Sequence, residues 1–162
     1  TYKGSKSGLG GMIDNEQDAG GWPNFPSETR PLDWDTDHDG LPNWWEKAFG
    51  LNENSKAGDF SDANQDNDKE GFTQLDNYLD WLSTPHYFVN SGDKKVLNAG
   101  DFFKGYENKP VYTFSDLKNG KVVLKGKEIQ FTTVEKGFAS FVLTVKDADG
   151  DSMSRTINFF VK

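Results

Sequence analysis

The sequence predicts two small modules in series: a pair of acidic loop–helix units over residues 33–83, then an antiparallel β-sandwich over residues 84–162, with a linker or tail over residues 1–32 ahead of both. Three observations carry this. Acidic charge is concentrated in the middle of the chain, where residues 33–80 hold thirteen Asp and Glu against three Lys, a balance of −10. All five tryptophans precede residue 82, whereas nine of the thirteen phenylalanines follow it. Apolar spacing changes in the same region, from three-and-four to two, the periods of an amphipathic helix and of a half-buried strand.

The first segment is rich in Gly, Ser, Asn and Pro, including Gly8, Gly10, Gly11, Gly20 and Gly21, and carries neither period. The second opens on Asp35-Thr36-Asp37-His38-Asp39-Gly40-Leu41-Pro42-Asn43-Trp44-Trp45-Glu46. A calcium ion takes six to eight oxygens, and a twelve-residue EF-hand loop supplies them from positions 1, 3, 5, 7, 9 and 12. Asp35, Asp37 and Asp39 fill positions 1, 3 and 5. Gly40 falls at the sharp turn, Leu41 offers its carbonyl, Asn43 binds directly or through water, and Glu46 closes the site with both oxygens. Such hard oxygen donors suit calcium rather than zinc or copper, and their number argues against magnesium. His38 is expected to face outward.

A second loop runs from Asp66 to Asn77 and is less regular. Asp66, Asp68 and Glu70 occupy positions 1, 3 and 5, Gly71 follows, Phe72 offers a carbonyl, and the closing residue is Asn77. Asn77 brings one neutral oxygen where a carboxylate brings two charged ones, so a second calcium is expected here with weaker binding. Asp76 is adjacent to the closing position, and Asp62 and Asn64 lie just upstream as substitutes for a missing ligand. Each loop leads into a helix-compatible stretch, Trp44, Trp45, Ala48 and Phe49 after the first and Leu75, Tyr78, Leu79 and Leu82 after the second. Gly50 is a plausible cap for the first helix. Pro85 disfavours helical geometry at Thr84 and so stops the second. With so small a core, ion binding should supply much of the folding energy.

In the last segment Phe141, Leu143 and Val145 share one face, as do Ile157, Phe159 and Val161, Ile129 and Phe131, and Tyr112 and Phe114. The period of two predicts six or seven short strands, with hairpins at Lys118-Asn119-Gly120 and Asp149-Gly150. Asp147, Asp149 and Asp151 alternate as metal ligands do, but no closing carboxylate follows and Asp-Gly is ordinary hairpin chemistry.

Other chemistries have less support. There is no cysteine, which excludes disulfides, thiolate zinc sites and thiol nucleophiles. No apolar run approaches a membrane span. No basic patch with interleaved aromatics suggests nucleic acid. His38 and His86 have no evident nucleophile beside them in sequence, and Arg30 and Arg155 lie away from the acidic cluster, so the fragment itself is not expected to be an enzyme. Trp44 and Trp45 are adjacent on one short helix, so one of them is either open to stack on sugar or covered by a neighbouring segment. Lys118, Lys121, Lys125 and Lys127 would suit an anionic polysaccharide such as pectin, or serve simply as a solvated strand face.

Gly20-Gly21-Trp22-Pro23, the Asp35–Glu46 loop and Gly50-Leu51-Asn52 together resemble the C-terminal calcium-binding region of secreted bacterial pectate lyases, with related loops in dockerins and thrombospondin type 3 repeats. The resemblance spans residues 20–82. The stretch from Val145 to Ser152 is similar to the closing hairpin of bacterial cadherin-like and immunoglobulin-like modules. The resemblance implies a non-catalytic, calcium-binding C-terminal portion of a secreted or cell-surface bacterial polysaccharide-degrading enzyme, with a catalytic β-helix as its upstream partner in the parent chain. A start at Thr1 without methionine is expected of a processed or excised piece. The alternatives are a carbohydrate-binding module for pectin or a related polysaccharide, a dockerin-like protein-interaction module and, with least support, a self-contained calcium-dependent lyase.

Overall fold

Alternation of apolar residues in the second half of the chain builds two facing sheets. The computed structural model describes residues 16–27 and 29–162. Its strands are β1 His86–Val89, β2 Lys94–Asn98, β3 Val111–Lys118, β4 Gly120–Lys125, β5 Glu128–Thr133, β6 Gly137–Lys146 and β7 Ser152–Val161. One sheet has the order β1-β7-β6-β3 and the other β2-β5-β4. Ile129 and Phe131 of the smaller sheet meet Phe141, Leu143, Val145, Ile157 and Phe159 of the larger, all fully buried. Phe131 stacks on Phe159 across the two layers, with centroids 4.0 Å apart. The fold is a β-sandwich.

Two expectations are corrected. The sandwich is not wholly antiparallel, because β1 runs parallel to β7, pairing His86 with Asn158 and Val89 with Val161. Period-two alternation reports which face is buried, not which way the neighbour runs, so sequence alone left this open. Lys118-Asn119-Gly120 is a corner between sheets rather than a hairpin: β3 pairs with β6 while β4 pairs with β5. Asn119 sits there at φ 49°, and its side chain donates to the carbonyls of Glu135 and Phe138 and accepts from Glu135 N–H. A Cβ at Gly120 would collide with the Phe131 ring, so the corner needs glycine for space. The β4–β5 hairpin turns instead at Gly126-Lys127, with Gly126 at φ 60°, as a two-residue turn led by glycine requires. The expected hairpin at Asp149-Gly150 is present between β6 and β7, held by Asp147 Oδ1 accepting from the N–H groups of Asp149 and Asp151.

Two helices precede the strands, α1 Asn43–Phe49 and α2 Gln74–Ser83. Gly50 caps α1 in the left-handed region at φ 70°. Thr73 and Asp76 form a capping box at the start of α2, and Thr84, extended ahead of Pro85, ends it. The helices pack on the outer face of the larger sheet. There Phe88, Phe160 and Phe138 are cross-strand neighbours on β1, β7 and β6, making an aromatic row where a solvated face would be polar. Trp44 lies on this row, 4.5 Å from Phe160 and 5.1 Å from Phe88, while Trp45 approaches Phe138 at 5.2 Å. Residues 32–162 accordingly cluster as one compact unit, and residues 1–31 as another, whose described part holds a single 3-10 turn at Glu16–Ala19. Gly8, Gly10 and Gly11 of the expected tail lie outside the described residues.

Candidate metal centre

The two acidic segments share a backbone plan at a spacing of 31 residues. Position 4 is left-handed in both, with His38 and Lys69 each at φ 60°, and position 6 is a positive-φ glycine, Gly40 at 97° and Gly71 at 91°. The Gly40 N–H donates to Asp35 Oδ2 at 3.1 Å and the Gly71 N–H to Asp66 Oδ2 at 3.0 Å. Asn43 N–H donates to the Trp34 carbonyl and Gln74 N–H to the Gln65 carbonyl, each at 2.8 Å, where the helices begin.

The side chains differ. Carboxylate oxygens of Asp35, Asp37 and Asp39 lie within 4.8 Å of one another, a grouping that could hold a metal ion. Each of these residues spends one oxygen on the protein. Asp35 Oδ2 accepts from Gly40 N–H, Asp37 Oδ2 from the Ser55 hydroxyl at 2.7 Å, and Asp39 Oδ1 from Leu41 N–H at 2.8 Å. Among the described residues their other oxygens, Asp35 Oδ1, Asp37 Oδ1 and Asp39 Oδ2, are buried with no hydrogen-bond partner, and so are both oxygens of Glu46. Glu46 is 0% exposed, and Asp37 and Asp39 are 2% exposed. Leu41, at position 7, is fully buried. Asn43 does not leave its amide free: Oδ1 accepts from Thr36 N–H at 2.9 Å and Nδ2 donates to the Thr36 hydroxyl at 2.7 Å, tying the two ends of the loop. His38 is exposed.

Burial of charge without compensation disfavours the ionised carboxylates. Glu46 is pushed up to about 7, first by desolvation and then by the charges of Asp37, Asp39, Asp35 and Asp62. Asp39 is raised mainly by burial, against the Leu41 N–H that lowers it, with Asp37, Asp35 and Asp62 adding to the rise. Buried carboxylates in such proximity are costly unless a cation or hydrogen bonds balance them. The donor set, three carboxylates each with one spare oxygen and a fourth with two, fits a hard divalent ion.

The second segment is open by comparison. Asp66, Asp68 and Glu70 are exposed, Phe72 is 60% exposed, and among the described residues these carboxylates form no comparable grouping. Asn77 lines a groove with Asp80, Trp81 and Phe138. Asp76 is committed to the capping box, where the Thr73 hydroxyl and N–H hold its carboxyl below the usual range. Asp62 lies close enough to the first site to raise Glu46 and Asp39, while its own oxygens accept from Asn52 N–H and Gln65 Nε2. Ser55 falls outside a twelve-residue template and was missed, while Asp62, expected as a substitute ligand of the second loop, lies near the first. Asp147 and Asp149 spend their carboxylates on the β6–β7 turn and on Asn108.

Neither Trp44 nor Trp45 is an open platform. Trp45 is 3% exposed with its Nε1–H on Gln74 Oε1, and Trp44 is half-buried under the phenylalanine row. His86 stacks near Trp81 at 4.4 Å, its Nδ1 paired with the Thr84 carbonyl. Among the described residues no helix is long and apolar enough to cross a membrane.

No family model and no curated protein matches the chain. Among solved structures, a candidate alpha-galactosidase/melibiase from Bacteroides fragilis NCTC 9343 is similar over 48% of this chain and 16% of its own, at 19% identity and a TM-score of 0.36. The PKD domain of the KIAA 1837 protein is similar over 49% of this chain and 80% of its own, at 18% identity and a TM-score of 0.37. Scores this low carry no argument about fold or function.

Proposed function

We propose that the Asp35–Glu46 segment is an EF-hand-like calcium site and that its ion acts as a structural staple in a non-catalytic module. The observation behind this is the set of five buried carboxylate oxygens without partners among the described residues, distributed one, one, one and two over Asp35, Asp37, Asp39 and Glu46. That distribution matches the monodentate and bidentate roles of positions 1, 3, 5 and 12. Glu46 lies in α1 beside Trp45, so the ion would hold the helix whose tryptophans pack on the sheet. The Asp66–Asn77 segment has the backbone plan without the buried ligands, which favours a weaker second site there. The sequence resemblance favours such a module at the C-terminal end of a secreted bacterial polysaccharide lyase, joined to its catalytic domain. A dockerin-like role is less favoured, because Trp44 and Trp45 are occupied within the chain itself.

Thermal unfolding of chelator-treated protein at increasing calcium tests the proposal. Binding to the folded state alone raises stability by about 2.7 kcal/mol when calcium exceeds its dissociation constant roughly a hundredfold. A midpoint that climbs with calcium and not with equal sodium charge supports the reading. An unchanged midpoint would sink it.

A further inference from the structure

A second constellation lies where the helices leave the outer face of the larger sheet. A groove of about 370 Å³ opens there, with Trp45, Phe49, Trp81 and Phe138 as its apolar wall. Phe49 is 43% exposed, its ring 5.2 Å from that of Phe138, so an aromatic surface faces solvent inside a concavity. The opposite side is a polar rung of the sheet. Asn158 pairs with Ser140 across β7 and β6, and Ser140 with Lys118 across β6 and β3.

Much of this polar equipment is unspent. Thr84 and Asn158 bond to each other. Among the described residues the side chains of Ser140, Thr156, Lys118 and Asp80, all lining the groove, make no hydrogen bond or ion pair, and Trp81 Nε1 is buried without a partner there. A fully solvated strand face needs no partner for such groups. Here they stand against exposed and half-buried aromatic rings, which is the composition of a small-molecule site: an apolar wall with a few convergent polar groups. One cation and one anion, Lys118 and Asp80, leave the rim without the excess charge that a phosphate or polyanion requires.

We propose that this groove binds a neutral saccharide, the C–H face of a pyranose against Phe49 and Phe138 and its hydroxyls on Ser140, Thr156, Asp80 and Lys118. Hydroxyls both donate and accept, and these four side chains offer both functions. The assignment moves the expected sugar contact away from Trp44 and does not depend on the identity of the ion in the acidic loop.

The test is a titration of isotope-labelled, calcium-saturated protein with neutral cello-, xylo-, manno- and galacto-oligosaccharides and, separately, with oligogalacturonate. The expected result is a saturable shift of the Ser140 and Asn158 amides and the Trp45 and Trp81 indole N–H signals with a neutral probe. Phe49→Ala should weaken that binding at least tenfold, and Lys118→Ala, which alters an exposed side chain, several-fold. Should Phe49→Ala fail to fold, Lys118→Ala alone decides. No saturable shift with any neutral probe at tens of millimolar, response to oligogalacturonate only, or unchanged affinity in a folded variant would overturn the proposal.

Discussion

Glu46 carries two carboxylate oxygens into full burial with no donor among the described residues to meet them, and most of the chemistry of the acidic loop follows from that. Glu46→Gln keeps the shape and removes the charge. It should lower calcium affinity at least tenfold in a calorimetric titration. Without metal, at a pH above 7, it should instead raise the unfolding midpoint, because an uncompensated buried charge is gone. The pH dependence has a definite sign. The folded-state value of Glu46 is raised from 4.5 to about 7, so its stabilising protonation is complete below 4.5 and is lost as pH rises through about 7. Metal-free protein should therefore melt at a lower temperature as pH rises over that window, while the calcium-loaded form does not follow. Asp76, whose value is lowered, acts oppositely, its contribution being lost as pH falls below the ordinary carboxylate range. At Gly120, Ala would meet the Phe131 ring and should cost about 1–3 kcal/mol in denaturant unfolding. Asp35, Asp37, Asp39 and Glu46 were legible as a group because position in a twelve-residue loop is a local property. Ser55 was not, and Asp62 was read only as a substitute for the second loop, because the return of the chain from Gly50 to Gln65 places both and leaves no periodic trace.

Among the elements, α2 is fastened at its start by reciprocal bonds between Thr73 and Asp76 and stopped at its end by Pro85. Thr73→Ala should cost about 1 kcal/mol, read as a lower midpoint in urea with unchanged slope. The helix ends were readable because capping residues act within one turn. Strands β5, β6 and the second half of β7 were readable because each alternates between the sandwich core and the outer face. Two features were not. An Asn-Gly corner that switches sheets uses the same left-handed residues as a hairpin, so composition cannot separate them. The parallel pairing of β1 with β7 is fixed by partners more than seventy residues apart, including Asn158 N–H on the Pro85 carbonyl.

For the molecule as a whole, the helices and the sandwich share an aromatic core. Trp44 is the joint, touching Trp45, Tyr78 and Trp81 on one side and Phe88 and Phe160 on the other. Trp44→Ala should cost about 3 kcal/mol or more and separate one calorimetric transition into two. The clue in the sequence was the trio Phe88, Phe138 and Phe160 on faces that the alternation assigns to solvent, but nothing local says that α1 is what covers them. Calcium in the Asp35–Glu46 loop would then stabilise more than the loop, since Glu46 and the two tryptophans belong to one helix. The most direct measurement is calorimetric titration of calcium into chelator-treated wild-type protein and Glu46→Gln in parallel. The wild type should show a tight step that the variant loses, with any weaker step at Asp66–Asn77 retained in both. A silent wild-type titration, or a tight step equally strong in the variant, would contradict it.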